Sequence, residues 1–184
     1  MADQCIQHLL QEHRAAEEIL AALDALLKAV EQDRRWSAAP AEPFARVRQF
    51  VTHDLPLHEC KEDTILFPAL AGFLPSDTGP LDVLRSEFTG IAVEAGRMVE
   101  CADALALSKA EGLAVGEAAP NLVQSFLRAA RAFGQLLRDH IYKEDRVLFP
   151  MVARHLPAEQ DAELLAAMQH CAANSSLPAS SPKA

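Results

Sequence analysis

His58-Glu59-Cys60-Lys61-Glu62-Asp63-Thr64-Ile65-Leu66-Phe67-Pro68 returns further along the chain as His140-Ile141-Tyr142-Lys143-Glu144-Asp145-Arg146-Val147-Leu148-Phe149-Pro150. Both copies read H-x-x-K-E-D-x-x-L-F-P. A His and a Glu four residues apart lie one above the other on a single helix face. Imidazole and carboxylate together suit iron and similar transition metals. The closing Pro cannot continue a regular helix without losing a hydrogen bond and clashing with the preceding turn. Each copy is therefore expected to be the last two or three turns of a helix, with a metal-binding face just before its end.

On a solvated helix such a pair binds nothing, so the phase of the neighbouring residues matters. Steps of three and four through the first copy give Phe44, Val47, Val51, Leu55, His58, Glu62, Ile65 and Ala69. Through the second they give Phe126, Ala130, Phe133, Leu137, His140, Glu144, Val147 and Met151. Each stripe is apolar except for its His and Glu, as expected of a core-facing stripe. A buried carboxylate without a partner protonates or finds a cation. Two of them, each with a histidine, call for a shared metal.

Composition supports a helical chain. Half of the 184 residues are hydrophobic, Gly is scarce and aromatics are few, a balance that favours helix over sheet. The length suits one domain. The net charge of −9 argues against a nucleic-acid partner. No apolar run is long enough to span a bilayer, and the N-terminus carries no basic region followed by an apolar stretch. A cytoplasmic location is the default expectation. Cys5, Cys60, Cys101 and Cys171 form no C-x-x-C pair and read as reduced structural thiols.

Taken in order, the first helix is expected from about Asp3, as N-cap, to Gln32, with the stripe Ile6, Leu9, His13, Ala16, Leu20, Leu23, Leu27 and Val30. His13 is the only polar member. After a loop at 33–43, a second helix from about Glu42 to Phe67 carries the first copy, kinked at Pro56, which frees the Thr52 carbonyl. His53 points elsewhere. A turn-rich loop at 70–80 leads to a third helix from Leu81 to Leu107, whose stripe from Leu81 through Phe88 and Ile91 to Leu105 is wholly apolar, with Glu87 and Glu94 solvated at its margin. A fourth helix from Pro120 to Phe149 carries the second copy. A short amphipathic helix runs from Pro157 to Cys171, and residues 172–184, rich in Ser, Pro and Ala, are expected to be disordered. Short connections imply antiparallel neighbours, hence an all-α, up-down four-helix bundle with a short C-terminal helix over 1–171.

Leu9-Leu10-Gln11-Glu12-His13, His58-x-x-x-Glu62 and His140-x-x-x-Glu144, the last two with Leu-Phe-Pro endings, resemble the hemerythrin-like family of HHE cation-binding domains over roughly the first 155 residues. The resemblance implies a four-helix bundle around a non-haem di-iron centre that binds or senses dioxygen, nitric oxide or peroxide. On this chain Glu62 and Glu144 would bridge the metals, His13 and His58 would serve one, and His140 the other. The family places one or two histidines on the third helix, typically in a Glu-His pair; here Phe88 stands in that place, with Ala92 one turn later. The metal served by His140 then lacks its usual partner. It could be loosely held, leaving a mononuclear site; Glu17, Glu87 or Glu94 could replace the ligand; or the position could stay open to water or substrate. Beside a small-ligand binding protein stand two further readings: a di-iron oxidase or peroxide-consuming enzyme, and a metal-dependent interaction module.

Overall fold

The computed structural model describes residues 3–33, 41–74, 79–110 and 119–175. The described residues are all-α, in five helices. Helix α1 is Gln4–Asp33, α2 spans 41–70, α3 is Pro80–Ala110, α4 spans 119–155, and α5 is Ala158–Ser175. The last helix thus continues to Ser175, beyond its expected end at Cys171; residues 176–184 lie outside the described residues, as does most of the loop expected at 33–43.

Two helices differ from expectation in how they treat proline. Neither copy of the repeat ends its helix: α2 continues past Pro68 to Leu70, and α4 past Pro150 to His155. Proline is accommodated by a widened π turn just before it. These turns are Phe50–Asp54 before Pro56, Glu62–Leu66 before Pro68 and Glu144–Leu148 before Pro150. In each, the residue preceding Pro donates its N–H five residues back: Leu55 to Phe50, Phe67 to Glu62, Phe149 to Glu144. The wider ring moves away the carbonyl that the pyrrolidine would strike.

The π turns that begin at Glu62 and Glu144 each add one residue, and the buried stripe changes phase across them. After Glu144 it is Leu148 and Val152 that are buried, while Val147 is 59% exposed. After Glu62 the buried residues are Leu66, Phe67 and Leu70, with Ile65 and Ala69 only half-buried. The α-period stripes hold up to Glu62 and Glu144 and slip by one beyond them. In α1 and α3, which lack an interior Pro, the expected stripes are buried throughout.

The hydrophobic core falls into two parts. One gathers Leu20, Val47, Leu55, Ile91, Met98, Phe126 and Phe133. The other gathers Leu9, Phe67, Leu84, Phe88, Phe149, Leu164 and Met168. α3 packs along α4, while α1 contacts α2, α4 and α5. α5 also caps α1 from outside: the Asp161 carboxylate accepts the backbone N–H groups of Gln4 and Cys5, each at 3.0 Å. The capping role expected of Asp3 is thus filled by a side chain from the far end of the chain. The Cys60 and Cys171 thiols, both reduced, lie 3.7 Å apart where α5 meets α2. No helix among the described residues is long and apolar enough to cross a membrane.

Candidate metal centre

His13 comes from α1, His58 and Glu62 from α2, His140 and Glu144 from α4. All five are buried, with both glutamates fully so. The two glutamates are the first residues of the π turns that precede Pro68 and Pro150. The widening that proline demands therefore starts at each Glu.

Four of the five residues meet. One ligand atom from each of His13, His58, Glu62 and Glu144 lies within 4.8 Å of every other. The Nε2 atoms of His13 and His58 are 3.2 Å apart. His13 Nε2 is 3.3 Å from Glu144 Oε2, and His58 Nε2 is 3.5 Å from Glu62 Oε1. An ion bound at roughly 2.1 Å by N and O atoms holds neighbouring ligand atoms about 3.0–3.4 Å apart, from octahedral to tetrahedral geometry; these three spacings lie close to that range. His140 stands beside this group, its Nε2 3.4 Å from the other Glu144 oxygen, Oε1. Glu144 so reaches His13 with one oxygen and His140 with the other.

Five of the polar atoms facing inward lack hydrogen bonds. Both oxygens of Glu62, both of Glu144 and Nε2 of His140 are buried without a hydrogen-bond partner. The outward nitrogens are all held. His13 Nδ1 meets Asp145 at 2.6 Å, His58 Nδ1 meets Glu12 at 2.9 Å, and His140 Nδ1 meets Glu87 at 3.0 Å. A carboxylate on Nδ1 fixes the proton there and leaves the Nε2 lone pair facing the centre, the usual arrangement around a metal-bound histidine. The Lys of each repeat then acquires a role. Lys61 pairs with Glu12 and Lys143 with Glu87, so each clamps the carboxylate that orients the histidine three residues before it.

Electrostatics follow from this packing. Burial, and then the Glu144 charge, push the Glu62 carboxyl well above the usual range. Burial acts the same way on Glu144, but His13 and His140 overcome it and hold Glu144 at about 2. Burial lowers His13, yet Asp145 and Glu144 outweigh it and raise it to about 9. His140 is also raised, against burial, by Glu144 and Glu87, whereas burial dominates at His58 and lowers it. Glu62 thus favours its protonated form and His13 and His140 their charged forms beside Glu144, and a cation entering the cluster would compete with these protons.

His13, His58, Glu62 and Glu144 converge, and His140 adjoins them through Glu144. Of the three carboxylates considered as substitute ligands, Glu17 is exposed, Glu94 pairs with Arg97 at 2.6 Å, and Glu87 is held by His140 and Lys143. Glu87 is therefore not the solvated margin residue expected, and it orients a histidine rather than joining the cluster. Asp145 orients His13, while Asp63 pairs with Arg85 at 2.5 Å. Glu12 and Lys61 were missed. The available signal was the repeated Lys, three residues after each His on the same helix face.

A cavity of about 330 Å³ reaches the cluster, lined by His13, His58, His140 and apolar side chains including Phe88, Ile91 and Leu137. Buried imidazoles and carboxylates, inward lone pairs without partners and a cavity reaching them define a helical protein with a candidate metal centre. The family model of the hemerythrin HHE cation-binding domain matches residues 5–152, and the chain belongs to that family. No curated protein and no solved structure matches the chain significantly.

Proposed function

We propose that this chain is a cytoplasmic, non-haem iron protein that binds or senses a small ligand, dioxygen, nitric oxide or peroxide, at the buried centre. The ligands are His13, His58, Glu62, His140 and Glu144, carried by α1, α2 and α4 of an antiparallel up-down four-helix bundle. The observation that carries this reading is the set of buried, unpartnered oxygens of Glu62 and Glu144 facing oriented imidazoles. Leaving buried polar atoms without hydrogen-bond partners is costly, and a bound cation removes the cost.

Iron in this site supplies a redox-active centre at which a small ligand binds. The protein does the rest. Glu12, Asp145 and Glu87 hold the Nδ1 protons and so aim each Nε2 inward. Lys61 and Lys143 hold Glu12 and Glu87 in place. Phe88, Ile91 and Leu137 give the cavity apolar walls that admit a small uncharged molecule and disfavour bulk water. The acidic charge and the lack of a membrane-crossing helix among the described residues fit a small-molecule partner rather than nucleic acid or lipid. The size of the cavity, far beyond that of a diatomic molecule, favours an oxidase or peroxide-consuming enzyme as the second reading.

Anaerobic loading with ferrous iron, removal of excess metal and metal analysis test the proposal. Retained iron is expected, with an absorption spectrum that changes on exposure to dioxygen, nitric oxide or peroxide. A folded protein that retains no iron would contradict it. Peroxide turnover that disappears in Glu144→Ala would select the enzymatic reading.

A further inference from the structure

The repeat in the sequence is also a repeat of contacts, and it breaks at one side chain. Glu12 accepts from His58 and pairs with Lys61; Glu87 accepts from His140 and pairs with Lys143. The residue after Glu12 is His13, and the residue after Glu87 is Phe88. The two rings occupy equivalent places. His13 lies 4.9 Å from His58 at 56° and stacks on Phe149 at 5.3 Å and 18°. Phe88 lies 4.6 Å from His140 at 54° and stacks on Phe67 at 6.3 Å and 10°. Phe67 and Phe149 are themselves equivalent positions of the repeat.

A phenyl ring fills the space of an imidazole but offers no lone pair. Its effect extends to the orienting carboxylates. Asp145 holds Nδ1 of His13 at 2.6 Å. The equivalent of Asp145 in the first copy is Asp63, whose matching ring is Phe88. Asp63 pairs instead with Arg85, which also lies over the Phe67 ring at 5.5 Å. One half of the centre therefore has two oriented imidazoles and close carboxylates, while the other has the single imidazole of His140.

We infer that the centre is built for one tightly held metal ion, at His13, His58, Glu62 and Glu144, and that the position beside His140 is a half-site lacking one imidazole, which Phe88→His would complete with Asp63 as its orienting carboxylate. This rests on the metal-binding reading given above. Phe88 and His140 both line the cavity, so the under-liganded position is open to an incoming ligand.

The test is metal stoichiometry and affinity, not activity. Wild type, Phe88→His, Phe88→Leu and Phe88→His/Asp63→Ala are titrated anaerobically with ferrous iron against a chelator, then desalted and analysed for metal. One iron per chain is expected to survive in wild type and Phe88→Leu, and two in Phe88→His. In the double variant the second iron is expected to bind about 10–100-fold more weakly than in Phe88→His, the usual effect of losing a carboxylate behind a metal-bound histidine. Wild type retaining two irons with affinities within tenfold of each other would overturn the inference and leave the metal centre standing. So would a Phe88→His protein of native helical content that still retains one. Wild type retaining none would overturn both, and that measurement needs no variant.

Discussion

Glu62 carries a cost that nothing in the metal-free protein offsets. It is fully buried, its oxygens have no hydrogen-bond partner, and burial beside Glu144 pushes its carboxyl well above the usual range. A buried polar side chain without a hydrogen-bond partner costs about 1–3 kcal/mol, which an apolar side chain of similar volume does not incur. Glu62→Leu is therefore expected to melt at a higher temperature than wild type when both are kept in chelator, and to lose metal binding. A lower melting temperature in chelator would mean that Glu62 serves the fold rather than a ligand. Glu12 acts at one remove: Glu12→Gln leaves the helices intact and is expected to weaken iron binding about 10–100-fold in chelator competition. Asp161 is a stability residue. Its Asp161→Ala variant loses the side-chain cap on α1, a loss of about 1–2 kcal/mol. Hydrogen bonds from Cys5 and Gln4 outweigh burial and hold the Asp161 carboxyl below its usual range. A carboxylate with a depressed folded pKa stabilises above its unfolded pKa of about 3.9 and loses that contribution as pH falls through the folded value. The difference between wild type and Asp161→Ala in denaturant unfolding is thus expected to be full at pH 7 and to shrink below about pH 4.

The π turns set which side of α2 and α4 faces inward beyond the centre. The stripe expected from spacing runs from Glu144 through Val147 to Met151; the observed one runs through Leu148 to Val152 and leaves Val147 exposed. Leu148→Ala is expected to cost about 2–5 kcal/mol, the range for truncating a buried Leu. Val147→Ala is expected to fall within about 0.5 kcal/mol of wild type, as for other exposed positions. Equal effects in thermal or denaturant unfolding would argue against the phase change. This is also where legibility in the sequence stopped. α1 and α3 follow one uninterrupted period, and Ile6 to Val30 and Leu81 to Leu105 could be placed in the core from spacing alone. His58, Glu62, His140 and Glu144 lie before the shift, so their inward direction was legible too. Pro68 and Pro150 read as helix ends because proline opposes a regular turn; that a wider turn absorbs them is a tertiary choice that a single helix pattern does not display. Glu12 and Glu87 were obscure for a related reason. Each reaches across to a histidine on another helix, and only Lys61 and Lys143 hint at it along the chain. The Asp161 cap joins opposite ends of the sequence and has no local signal.

Between the two parts of the core lies a layer of charged and imidazole side chains drawn from α1, α2 and α4. A metal ion bound there adds a direct link among three helices, and it binds only the folded chain. Iron at about 100 times its dissociation constant would add about 2.7 kcal/mol of stability. For a chain of this size each kcal/mol shifts the midpoint by about 2–4 °C, so loaded protein is expected to melt roughly 5–10 °C above protein in chelator. The same gain should be absent in His58→Ala. The most direct test is a crystal of anaerobically loaded protein measured on both sides of the iron absorption edge. An anomalous peak within bonding distance of Nε2 of His13 and His58 and the carboxylates of Glu62 and Glu144 is expected. An ordered cluster with no peak among those atoms, or iron bound only at the protein surface, would contradict it.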